Sequence, residues 1–104
     1  MNRFGGALII LLCSACAGTT MSERGRSVTE LGPDPIPADC QRVKDVWASE
    51  GCGWLKSNEN CKIGVQNQLR NEAAELGATH LRSAPVSKGV ADFQGTAVAY
   101  RCSR

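Results

Sequence analysis

Hydrophobic and polar positions alternate with two periods along this chain, and the longest regular stretch is Asn60 to Leu81. Stepping one hundred degrees per residue from Val65 brings Leu69, Ala73 and Leu76 into one sector, with Cys61 beside it. Gln66, Asn67, Arg70, Asn71 and Glu75 fall mostly outside that sector. This is an apolar stripe on an amphipathic helix. Glu72 lies on the margin of the stripe, where a carboxylate snorkels at the edge of a core. Gly77 suits the left-handed position just past a helix end, and Ala78–Ala84 then reads as a strand stopped by Pro85.

The other segments follow period two. Gln41–Ala48 reads as a strand with a bulge near Asp45. Phe93–Cys102 places Phe93, Gly95, Ala97, Ala99 and Arg101 on one face and Thr96, Val98, Tyr100 and Cys102 on the other. Its small residues predict close packing of the helix on one side. Glu50–Asn60 reads as a loop in which Trp54 and Leu55 pack on the domain, and Val86–Asp92 as a turn region. The expected class is α+β: a single small domain in the order β-β-α-β-β, one helix packed on a small sheet, stapled by disulfides. If its second and third strands are parallel neighbours, the connection through the helix is right-handed.

The amino-terminal pattern divides the chain. Arg3 and the apolar run Phe4–Leu12, followed by Ser14 and Ala15, read as a secretory signal over residues 1–15. The run is too short for an ordinary transmembrane helix. Cys13-Ser14-Ala15-Cys16 resembles a lipobox, making Cys16 the candidate acylated residue; the rival is cleavage after Ala17. Acyl chains on Cys16 would hold the protein to a bilayer. Ala17 does not match the Asp that retains such proteins in the inner membrane, which points to the outer membrane. Residues 16–38 then form an anchored tether and linker: Gly18–Arg26 is small and polar, Ser27–Leu31 has the composition of a short strand, and Pro33, Pro35 and Pro37 stiffen the approach to the domain at 39–104.

Composition removes several function classes. The chain has 104 residues and a formal net charge of +2, with no basic footprint for nucleic acid. A core this small needs covalent support. Of the six cysteines, Cys40, Cys52, Cys61 and Cys102 follow the lipobox, an even number that implies disulfides in an exported domain. Four cysteines allow three pairings, of which Cys52 with Cys61 and Cys40 with Cys102 is preferred. Chain entropy assigns about 2.7 kcal/mol to the shorter loop and about 4 kcal/mol to the longer one. Among these four, no Cys-x-x-Cys spacing suggests zinc. His80 is the sole histidine. No Ser-His-Asp set, phosphate loop or paired carboxylates appear, so neither an enzyme nor a cofactor is expected. If exposed, Trp54 with Lys56 and Lys88 forms a candidate recognition surface.

Leu69–Thr79, followed by Gly95–Cys102, resembles the small bacterial lipoproteins called domain of unknown function 4156, over roughly Cys40 to Arg104. Thr79 stands where Asn is more usual there, and the Cys52–Cys61 pair is additional. A more distant similarity is to the Rcs envelope-stress sensor lipoprotein, which implies a comparable disulfide-bonded α/β fold. Neither resemblance carries catalytic residues. The expected function is a non-enzymatic outer-membrane lipoprotein that binds another envelope protein or monitors the envelope. The alternative is a secreted or periplasmic thiol- or metal-binding protein.

Overall fold

The computed structural model describes residues 19–54 and 57–103. The signal segment, Cys16, Leu55 and Lys56 lie outside the described residues. A short helix α1 (Glu23–Arg26) and strand β1 (Thr29–Glu30) precede the long strand β2 (Cys40–Gly51). Helix α2 (Asn58–Glu75) follows, then β3 (His80–Ser83), β4 (Ser87–Lys88) and β5 (Asp92–Cys102). The result is an α+β domain with one main helix on a mixed five-stranded sheet.

The sheet order is β1-β3-β5-β2, with β4 also pairing β5. β1 runs parallel to β3, and β5 is antiparallel to both β3 and β2. β2 and β3 are therefore parallel but not neighbours, because β5 is inserted between them. The condition for a simple crossover between parallel neighbours is not met, and β2, α2 and β3 form a split β-α-β unit. β2 is longer than expected, and its register shifts between Arg42 and Lys44, close to the bulge expected near Asp45. Its far end continues to Gly51, so the loop before α2 shrinks to 52–57. The turn region after β3 also contains β4, paired through Ser87 and Lys88 to Gln94 and Phe93.

Local chemistry fixes both ends of α2. The Ser57 side chain accepts from the Asn60 N–H at 3.1 Å, satisfying one donor of the first turn. At the other end Gly77 has φ 79°, Gly77 N–H donates to Ala74 O, and Ala78 N–H donates to Ala73 O. This double closure needs the left-handed residue that glycine supplies without a Cβ clash. Cys61, Gly64, Val65, Leu69, Ala73 and Ala74 are buried along the helix. They face Phe93, Gly95, Ala97 and Ala99 of β5, all buried. An ideal Cβ on Gly95 would sit 2.6 Å from Val65 Cγ1, so helix and strand approach closer than any side chain at 95 permits.

The amino-terminal segment differs from the expected flexible tether. Asn67 Nδ2 donates to Thr19 O at 2.9 Å, Asn71 Nδ2 to Thr20 O at 2.9 Å, and Ser22 N–H to Asn71 Oδ1 at 2.8 Å. Arg24 Nη2 donates to Ala74 O at 3.0 Å. Residues 19–26 thus form a strap along α2, capped by Ser22. Polar, small composition suggests a coil only where no partner exists, and here the asparagines of the helix supply one. Val28, 1% exposed, belongs to the core, and Arg70 donates to its carbonyl. The folded unit therefore starts well before residue 39.

Candidate functional site

Antiparallel register sets opposite residues on one face of a sheet. With β5 turned toward α2 through its small residues, Thr96, Val98 and Tyr100 point to the other side. The ladder adds Trp47 opposite Thr96, Asp45 opposite Val98 and Arg42 opposite Tyr100 from β2. From β3 it adds Arg82 opposite Val98 and His80 opposite Tyr100. Among the described residues no helix packs on this face. It forms an open groove of about 620 Å³ lined by Arg42, Asp45, Trp47, Arg82, Thr96 and Val98.

Four side chains give the groove its chemistry. Trp47 is 63% exposed, a large aromatic surface held in place by its strand. Arg42 donates to Asp45, and that hydrogen bond with its charge holds the Arg42 guanidinium further toward the protonated form. Both groups are well exposed, so the pair contributes little to stability. Arg82 Nε donates to Gly32 O at 3.2 Å, while its Nη2 is buried without a hydrogen-bond partner. A buried donor of a charged group left unpaired costs about 1–3 kcal/mol or more. The face thus carries an exposed aromatic surface, an exposed ion pair and a partly buried arginine.

The residues singled out from the sequence lie elsewhere. Trp54 is 91% exposed, which corrects the expectation that it packs on the domain. Lys88 is exposed on β4, and Lys56 lies outside the described residues. The fold brings the two loops together, since Cys52 N–H donates to Ala91 O at 3.0 Å. Val90 is fully exposed at the same end. The notch they share is about 190 Å³, below the size of an ordinary small-molecule pocket.

The disulfides join Cys40 to Cys102 and Cys52 to Cys61. The first spans directly opposed residues of β2 and β5; the second ties the end of β2 to the first turn of α2. His80 Nδ1 is hydrogen-bonded to Thr79 Oγ1 at 2.8 Å, and that oxygen also accepts from Cys102 N–H. The histidine is thereby built into the strand framework. A second concavity of about 420 Å³ includes Glu30, but the Glu30 carboxylate is occupied by Ser83 N–H, Ser83 Oγ and Gly32 N–H.

Among the described residues Glu50 is the buried carboxylate, at 8% exposure, whereas Glu72 lies on the exposed side of α2. Its Oε1 accepts from Thr19 Oγ1 at 2.8 Å and Gln68 Nε2 at 2.7 Å. Glu50, Thr19 and Gln68 therefore lock strap, strand and helix together. Sequence reading missed this because Glu50 fell in an assigned loop. The alternation Val46, Ala48, Glu50 was the available signal.

Among the described residues no group of three or more His, Cys, Asp or Glu is placed to hold a metal ion, and no helix is long and apolar enough to cross a membrane. The chain matches no protein-family model, no curated protein and no solved structure.

Proposed function

We propose that this protein is a non-enzymatic lipoprotein of the outer membrane, anchored through Cys16, whose domain binds another envelope protein through the open face of its sheet. The observation that carries the binding role is the exposed Trp47 on an open sheet face that also carries Arg42 and Arg82. An aromatic platform next to an arginine is the composition of energetic centres in protein interfaces. A partner's apolar atoms would cover Trp47, and its acceptors would meet the exposed Arg42 guanidinium. The anchor rests on the lipobox-like Cys13-Ser14-Ala15-Cys16, and the resemblance to small envelope lipoproteins agrees with it.

Photo-crosslinking tests the binding face. A photoreactive aromatic residue replacing Trp47 is expected to give one reproducible adduct with an envelope protein. The same group at Glu72, on the exposed side of α2, is expected to give none. Equal adducts from both positions, or none from Trp47, would refute the assignment. The mass of the mature protein tests the anchor: an unacylated amino terminus at Gly18 refutes it.

A further inference from the structure

We propose that the domain is seated directly on the bilayer, with the Trp54–Val90 end inserted into the lipid interface as a second contact beside the anchor. This rests on the reading of Cys16 as the acylated residue. Cys16 and Thr19 are three residues apart in the sequence. A fully extended chain covers at most about 3.6 Å per residue, so the acylated residue lies within about 11 Å of Thr19. Thr19 is not free to drift from the domain. Its carbonyl is bonded to Asn67, and its hydroxyl to Glu50 and Gln68. The strap continues this attachment through Asn71 and Ala74. The chain outside the strap is therefore too short to hold the domain away from the membrane.

The same geometry selects the end that meets the lipid. Glu50, which holds Thr19, is four residues before Trp54, a separation of at most about 14 Å along the chain. Cys52 is bonded to Ala91, next to Val90. Trp54 and Val90 are among the most exposed large apolar side chains of the domain, and they project from adjacent loops. Tryptophan favours the headgroup level, where its ring is buried and its N–H stays hydrated. A protein partner at this end would have to fit between the domain and the bilayer to which the short anchor holds it. The lipid surface is the occupant that this placement favours. It leaves the sheet face, with Trp47 and Arg82, for the protein partner.

The test uses full-length acylated protein carrying Trp47→Phe, so that Trp54 is the remaining tryptophan. It is reconstituted into phosphatidylcholine–phosphatidylethanolamine vesicles containing lipids brominated at known acyl depths. Trp54 emission is expected to shift to the blue, and shallow bromines to quench it at least twofold more than deep ones. The reverse variant, Trp54→Phe, leaves Trp47 as reporter and is expected to be quenched weakly by either lipid. Inserting twelve Gly/Ser residues between Gly18 and Thr19 is expected to abolish most Trp54 quenching while acylation is retained. Emission of Trp54 at the water-exposed wavelength, unquenched in protein whose mass shows the acyl chains, would overturn the seating and leave the anchor standing. A mature mass without acyl chains would overturn both.

Discussion

Replacing Gly95 with alanine would drive a methyl group into the contact between β5 and α2. The added Cβ would lie 2.6 Å from Val65 Cγ1 and 3.2 Å from Leu69 Cδ1. Val65 cannot easily turn away, because a β-branched residue in a helix has one strongly preferred rotamer. Overpacking of this kind costs about 1–3 kcal/mol. Alanine recovers roughly 0.5–1 kcal/mol relative to glycine in a strand, so the net loss is about 1–2 kcal/mol. For a domain of this size that lowers Tm by roughly 5–15 °C. Val65→Ala alone should cost about 2–3 kcal/mol through lost burial and a cavity. In the double variant the new methyl fills part of that cavity. Chemical denaturation of all four proteins should therefore give a double variant about 1–2 kcal/mol more stable than the sum of the single losses predicts. Additivity within about 0.5 kcal/mol, the behaviour of independent sites, would refute the close-packing argument.

Asn71→Ala removes the bonds to Thr20 O and from Ser22 N–H. It should cost about 1–2 kcal/mol and speed tryptic cleavage at Arg24 and Arg26, read by timed proteolysis. Val28→Ala should cost about 2 kcal/mol in denaturant titration, whereas a residue in a passive linker would change nothing. Replacing both Cys40 and Cys102 with serine should destabilise by about 4 kcal/mol, more than the roughly 2.7 kcal/mol expected for Cys52 and Cys61, in parallel thermal melts. Thiol titration of the unfolded, unreduced protein should find Cys40, Cys52, Cys61 and Cys102 all unreactive.

The helix and the last strand were legible in the sequence because each buries one face with an unbroken period. Gly77 and the small residues of β5 reinforced that reading locally. Cysteine spacing, with the strands it joins, led to the pairing present. The strap was not legible, because its partners Asn67, Asn71 and the Ala74 carbonyl lie about fifty residues away and look like ordinary solvated helix groups. The sheet-face groove was hidden for a related reason. Trp47, Arg82 and Thr96 meet only after three strands are registered, and period two shows which residues share a face but not which strands adjoin. Glu50 was lost by ending β2 too early, where Gly51, Cys52 and Gly53 look like a loop.

The strap also orders events in time. A chain is synthesised from its amino terminus, so Thr19–Arg26 appears first. Every helix group that receives it comes 48 to 51 residues later. β1 has the same dependence, since Thr29 and Glu30 pair with His80 and Leu81. Closing contacts of such separation is slow compared with winding a helix or forming a hairpin. The earliest segment made must therefore wait for α2 and β3 before it can dock, just as β2 must wait for β5.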